Sequence, residues 1–553
     1  MMTVSRRTLG LSLLSLAAAV PFAGTLAACS ESSEAVPGAP SSGPRSGGTL
    51  TWGVETEATT LNPQLNGQDK TKLYLRNAYE SLLARKDDGT FVGWLATKWE
   101  VSQDQLTYTF TLRDGVKFHD GEALSAATVV TNVTQLQDAT YNSSSAAGPL
   151  SHVASVKASD DTTVVLVLKD RYAPFLDYIG SLALLSTKSF ASSDLKSGGP
   201  GVAGTGPFVL ASYAKGQQLE FTRFEEYNWA PETRGHQGAA HLEKVIYRFL
   251  PESSVRLGAL QSQQLQVIEG VPGTLAAQFK DNPQYSYQTS LNTGTPYSLY
   301  FNSTVEPTSE QKVREAFRHA VDLDAILTSV YAGQRTRAWS AVSPQDPNFY
   351  DKSLEGTYGN DPAKANALLD EAGWTGRDGD GFRTKDGKRL TIVNYQSKPY
   401  VRDQRDVLLQ AIQAQVKQNA GIDFDVQVVD SGIADQHRAA RDYGTWDNSN
   451  TNPDGVDIEY HWLLPDHGGF INLSVATDPE LVDWLRKAQQ TTDVAERAQH
   501  YFALQQFVIA EKAYSLPLYE PEDQIAALAS VQGVGFRTYH QLPENAYDIW
   551  LEE

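Results

Sequence analysis

Along 106–112 the chain alternates: Leu106, Tyr108, Phe110 and Leu112 are interleaved with Thr107, Thr109 and Thr111, the period of a half-buried strand. Short strands are also expected over 48–54, over 116–118 ahead of the His119-Asp120-Gly121 turn, from Leu390, and over 424–429. Elsewhere the spacing is helical. Leu75, Ala78, Tyr79, Leu82 and Leu83 predict a helix over 74–85, and Ser125 is placed to cap one running through Val129 and Val130. Thr308-Ser309-Glu310-Gln311 has capping-box spacing ahead of an apolar face made by Val313, Phe317, Ala320 and Val321. Asp361 and Pro362 open a helix whose Leu368, Leu369 and Ala372 face inward and which Gly373 ends. Val407, Leu408, Ala411, Ile412 and Val416 repeat the pattern as far as Gly421. Helices and strands interleave without an internal repeat, which is the α/β pattern.

The first residues break this rhythm. Ser5-Arg6-Arg7-Thr8 precedes an apolar run over 9–28, the order of an export signal; the adjacent arginines suit the twin-arginine route as well as general secretion. The run ends at Leu26-Ala27-Ala28-Cys29, and Cys29 is the single cysteine of the chain. The arrangement resembles the lipobox of bacterial lipoproteins, which implies a signal peptide over 1–28 and an acylated Cys29 as first residue of the mature chain. Residues 29–46, rich in Ser, Gly and Pro, read as a flexible tether. On this reading the folded part stands outside the cytoplasmic membrane, in the periplasm or at the cell surface, and no later apolar run is long enough to span a bilayer.

Composition narrows the function. The full chain has 553 residues, 41% of them apolar and 10% aromatic, enough for several lobes with real cores. Its net charge is −20, and loss of Arg6 and Arg7 with no acidic residue takes it to −22. That balance disfavours a nucleic-acid partner. With Cys29 acylated, disulfides and thiolate metal sites are excluded. No Gly-x-Ser-x-Gly, His-Glu-x-x-His or phosphate-loop motif is present. His461 and His467 are separated by five intervening residues including a proline, His236 and His241 are no better spaced, and Asp378-Gly379-Asp380-Gly381 lacks the rest of a calcium loop. No metal site, cofactor or catalytic constellation is expected.

Longer stretches carry a family resemblance: 77–83 (NAYESLL), 94–100 (WLATKWE), 106–121 (LTYTFTLRDGVKFHDG), 204–208, 227–229, 255–268, 300–302, 313–322 and 361–374. In that order they resemble the extracytoplasmic solute-binding proteins of family 5, the peptide/nickel-type receptors of ABC importers, from about residue 47 to the C-terminus. The resemblance implies an α/β, two-lobed periplasmic-binding-protein type II (cluster C) fold with an extra subdomain inserted in lobe I. Lobe Ia would take 47–80, 200–297 and 520–553, the inserted subdomain Ib 81–199, and lobe II 298–519. It implies a monomeric receptor rather than an enzyme, closing on an oligopeptide and delivering it to a membrane permease with cytoplasmic ATPases. A non-peptide ligand (an oligosaccharide or a metal chelate) is the alternative, and a secreted lipoprotein hydrolase the more distant one.

The same resemblance points to ligand residues. The stretch 446–454 reads as a polar loop of turn formers led by an aromatic platform, Trp446, and looks like the family's cleft loop. Peptide receptors place an aspartate for the ligand's α-ammonium three residues after that tryptophan; here the position is Ser449, with Asp447 able to substitute if the register shifts. Asn448, Ser449 and Asn450 would suit a neutral polar ligand, and Trp446→Ala is expected to weaken binding with little loss of fold. Lys398, beside Tyr400, stands where dipeptide receptors carry an arginine for the ligand's carboxylate, as a point charge rather than a fork. Trp339, Tyr297 and Tyr300 offer flat walls, and Asn302 completes the candidate set.

Overall fold

The computed structural model describes residues 43–552, apart from 87, 139, 142–146, 453–455, 463–471 and 537–544. Cys29, the export signal and most of the tether therefore lie outside the described residues, as do Asp454 and His467.

Two mixed sheets carry the molecule. The first has seven strands in the order Tyr285–Leu291, Glu522–Leu528, Val267–Glu269, Thr49–Val54, Lys244–Phe249, Gln218–Arg223, Phe208–Ala214. Its centre is parallel: Thr49–Val54 runs alongside both Lys244–Phe249 and Val267–Glu269. The second has five strands in the order Asp423–Val429, Thr391–Ser397, Thr445–Asn450, Thr295–Phe301, Ser515–Tyr519. There Thr391–Ser397 is parallel to both of its neighbours. A four-stranded antiparallel sheet (Ala96–Val101, Thr107–Leu112, Thr163–Leu168, Val153–Ala158) shares one continuous apolar core with the seven-stranded sheet, while the five-stranded sheet has its own. The chain passes between the two large sheets at 292–294 and 520–521, and the Asn292 amide donates to the Pro521 carbonyl (2.9 Å), tying the two passages together. Gly294, at φ +89°, supplies a backbone turn that a side chain would oppose.

Local signals placed most elements. Thr107–Leu112 buries alternate residues as its pattern requires. Ser125 Oγ accepts from the Thr128 amide at the start of Ala126–Gln137, and Asp361 accepts from the Lys364 amide at the start of Pro362–Glu371. Gly421 closes Arg405–Ala420 at φ +68°, although Val407 on that helix is exposed.

Over 116–118 the expected strand is reduced to an isolated bridge between Lys117 and Ala123, and two further expectations fail for tertiary reasons. Instead of a helix over 74–85 there is one turn, Lys72–Leu75, followed by irregular chain and the strand Leu83–Arg85. The carbonyls of Asn77 and Ala78 are taken by the amides of Phe208 and Gly206, so they cannot accept along a helix. The approach is so close that a Cβ on Gly206 would lie 2.4 Å from the Asn77 oxygen. The capping box also does not form. Thr308 Oγ1 donates back to the Asn302 carbonyl (2.7 Å), and Gln311–His319 begins after Glu310 without a side-chain cap. The 378–381 turn does form, with Asp378 and Asp380 both paired to Arg389.

Candidate functional site: the cleft between the two sheets

The parallel strands of both sheets point their carboxyl ends at the same space, the position where open α/β sheets bind ligands. A cavity of about 600 Å³ opens there, with Thr56, Pro251 and Gly270 on the first sheet's side and Arg335, Arg402 and Val407 on the second's. Buried Arg256 fixes the first wall, donating to the carbonyls of Glu269 (3.0 Å) and Gly270 (3.0 Å) and to those of Leu250 and Pro251, the ends of the two strands that flank Thr49–Val54. Gly270 sits at φ +66°, where a Cβ would meet the Arg256 guanidinium at 2.8 Å.

Across from it, the chain leaves Thr391–Ser397, takes a 3-10 turn over Lys398–Tyr400, and enters Arg405–Ala420 through Asp403 and Gln404. Those two residues sit at φ +53° and +55°, a backbone cost that tertiary contacts must hold in place. Tyr331 Oη donates to the Asp403 carbonyl (2.8 Å), and the Asp403 carboxylate lies 3.4 Å from Arg335. Burial alone would raise the Asp403 pKa; attraction to Lys70, Arg335, Arg405 and Arg402 outweighs it and holds the group ionised, below the usual carboxylate range. Lys70 in turn pairs with Asp523, both buried, and burial lowers its pKa.

Arg405 is the hub of the second wall. Its Nε donates to Tyr519 Oη (3.1 Å), its Nη2 to Ser449 Oγ (2.9 Å), and its guanidinium lies 4.1 Å from the centre of the Tyr297 ring. Tyr297 Oη donates to Asp447 (2.7 Å), whose other oxygen accepts from Asn394 Nδ2 (2.9 Å). The lobes meet directly where the Thr451 amide donates to Asp69 (3.0 Å).

Several buried polar atoms around this cleft have no hydrogen-bond partner among the described residues: Gln68 Nε2, Asn292 Oδ1, Gln396 Oε1, Asp523 Oδ2, and Nε and Nη1 of Arg402. Gln68 Oε1 accepts from the Thr59 amide (2.7 Å), which leaves its nitrogen as the free donor. Gln396 Nε2 faces Tyr297 Oη (3.4 Å), which leaves its oxygen as the free acceptor. Buried atoms of this kind are costly unless something pairs with them.

The structure brings some of the sequence candidates together and separates others. The supposed loop 446–454 is a strand through Asn450, central in its sheet, because Thr445 pairs with Asn394 on one side and Phe301 on the other. Trp446 is at the end of that strand away from the cleft, buried and packed edge-on against Tyr443 (5.2 Å), so it is a core residue and not a platform. Asn302 lies at the matching far end of Thr295–Phe301, where it accepts from the Thr304 amide and donates to the Arg441 carbonyl. Tyr300 is buried and stacks on His461. Trp339 has the Arg337 guanidinium over its ring (3.6 Å to the ring centre) and Tyr358 packed edge-on against it (5.2 Å). Lys398 lines the cavity at its exposed rim, next to exposed Tyr400, and pairs with Asp430 (2.9 Å). Tyr297, Asp447 and Ser449 converge with Arg405 near the cleft, and Asn450 takes its place beside Thr295, its amide donating to Thr295 Oγ1 (3.0 Å). Asn448 is half-buried opposite Ser298. Lys70, Gln396, Arg402, Asp403, Arg405 and Asp523 were missed; the dense Arg402-Asp403-Gln404-Arg405 run just beyond Tyr400 was the one signal available.

Two sheet-centred lobes joined by two connecting segments, with a polar cleft at the carboxyl ends of both sheets, define a solute-binding protein of the two-lobed, type II (cluster C) periplasmic-binding-protein fold. The family model of the bacterial extracellular solute-binding proteins, family 5, matches residues 90–468, and the chain belongs to that family. It is 31% identical over 524 residues to protein XP55 of Streptomyces lividans, covering 92% of this chain and 90% of that one. It is also 31% identical over 350 residues to the nickel-binding periplasmic protein of Escherichia coli K12, a match over 61% of this chain and 64% of the relative's length. Among solved structures, the oligopeptide-binding protein AppA of Bacillus subtilis, in complex with a nonapeptide, superposes with a TM-score of 0.81 at 23% identity, over 92% of this chain and all of that one.

Proposed function

We propose that this chain is the extracytoplasmic receptor of an ABC importer, a monomer tethered to the membrane through acylated Cys29, which captures a small polar solute by lobe closure and presents it to a permease. No turnover is part of this role. Lobe Ia, subdomain Ib and lobe II would be the moving parts, with 292–294 and 520–521 as the hinge, and the ligand would stabilise the closed form by touching both walls.

The observation that carries the reading is the set of unpartnered polar atoms around the cleft, split between the two lobes. Their chemistry suggests the ligand class. Asp447 is committed to Tyr297 and Asn394, and Ser449 faces the Arg405 guanidinium, so that strand offers no free carboxylate for a ligand's ammonium; Asp523, whose Oδ2 is unpartnered, and Glu55 on the cavity wall are the carboxylates at hand. Arg402 offers free donors, while Gln396 and Asn292 offer free acceptors. A peptide-like solute fits: carboxylate or carbonyl groups towards Arg402, amide or hydroxyl protons towards Gln396 and Asn292, and an amino end towards Asp523 or Glu55. A thermal-shift panel of alanine tripeptide, its N-acetylated form, an oligosaccharide and nickel–histidine tests this. The two peptides should raise the melting temperature most, by several degrees at saturating concentration, the free-amine form at least as much as the acetylated one. Stabilisation only by the sugar or the chelate would overturn the ligand class, and steady hydrolysis of any member would overturn the receptor role.

A further inference from the structure

Besides the hinge and the cleft, the two lobes meet at a third place. The four-stranded sheet shares its core with the first lobe, and the segment following its Thr163–Leu168 strand reaches the helices of the second. Tyr172 Oη donates to Glu459 (3.2 Å), the Ala173 amide to the Gln489 carbonyl (2.6 Å), and Gln105 Nε2 to Thr492 Oγ1 (2.9 Å). Tyr172 and Glu459 are each only 4% exposed. Glu459 also accepts from Gln489 Nε2 (3.1 Å) and Tyr501 Oη (3.0 Å) within the second lobe. One donor therefore comes from the far lobe and two from its own.

We propose that Tyr172 and Glu459 form a latch on the closed state, made when the four-stranded unit meets the second lobe and broken when they part. The inference rests on the closing-receptor reading above. Its consequence is a proton linked to closure. In the closed form burial raises the Glu459 pKa to about 7, against the favourable pull of its three hydrogen bonds and of Arg497. The other ionisable groups here stand behind Tyr172: His152 stacks on its ring (4.3 Å) and lies 2.9 Å from Asp170. Opening removes the Tyr172 side of the enclosure and admits water, so the pKa falls towards its ordinary value and the proton is released. Closure accordingly takes up a proton and is favoured as pH drops from 8 to 6.

The Ala173 amide reports the latch directly, because its acceptor is across the interface. Hydrogen exchange on the ligand-free, full-length protein in detergent, corrected for intrinsic rates, should show Ala173 about tenfold better protected at pH 6 than at pH 8. Amides of the Thr107–Leu112 strand serve as the internal control. Glu459→Gln should keep the protection and lose its pH dependence; Tyr172→Phe, which removes one hydroxyl and leaves the ring in place, should lower protection about fivefold at pH 6. Protection at Ala173 that ignores pH in the wild type, or is unchanged in Tyr172→Phe, overturns the latch. Because no ligand is present, a failed latch and a failed receptor reading give separate results.

Discussion

Glu80, enclosed in the first core, accepts from Tyr227 Oη (2.7 Å), Trp229 Nε1 (2.8 Å) and Thr205 Oγ1 (2.9 Å). At the cleft, Gln68, Asn292, Gln396 and Asp523 are buried to a similar degree, and each keeps an atom unpartnered among the described residues. Core groups such as Trp52 Nε1 and Tyr178 Oη also lack a partner among the described residues, so an open polar atom points to a ligand only where it stands beside the cleft. The contrast separates residues that the structure needs from residues that it holds ready, and substitution should separate them too.

The largest effect is expected at Glu80. Glu80→Ala leaves three donors buried and unpaired and should reduce stability by about 3–5 kcal/mol in urea unfolding. Trp446→Ala should cost about 3–5 kcal/mol as well, since the indole fills the second core; a mutant that loses binding but keeps full stability would return Trp446 to the site. The pH dependence of stability sharpens the same comparison. Burial raises the Glu80 pKa to about 7, above its value in the unfolded chain, so the folded state holds the proton more tightly. Its contribution is complete below about pH 4.5, the ordinary carboxyl value, and is lost as pH rises through 7, a swing of about 3 kcal/mol that Glu80→Gln should abolish. The cleft should respond in the opposite sense. Gln396→Leu should change stability by less than about 0.5 kcal/mol, or raise it, while weakening ligand binding by about 1–3 kcal/mol in calorimetry.

What could be read from the sequence was local. Ser125, Asp361 and Gly421 act on amides and carbonyls a few residues away, and the alternation over 107–112 needs only one buried face. What could not be read depends on distant partners. The 74–85 spacing suited a helix until Phe208 and Gly206 claimed its carbonyls, and Trp446 looked like a platform because its polar neighbours belong to a strand whose mates lie 53 and 150 residues away, as the Asn394 and Tyr297 bonds to Asp447 show. The Lys70–Asp523 pair spans 453 positions. Family resemblance supplied the two-lobed fold and pointed to Lys398, which lines the cavity; it could not say that Arg335 and Arg402 line it too, or that Arg405 ties the second wall together.

The central claim is that the cleft is built to hold a solute and release it unchanged. Native mass spectrometry of the full-length protein, extracted in detergent from the membranes of its own host, tests this most directly. The account predicts one small molecule per chain, lost on denaturation, absent or reduced in Gln396→Leu, and identical in mass before and after incubation. A ligand retained at full occupancy in that variant, or one converted to a product by the protein, would contradict it.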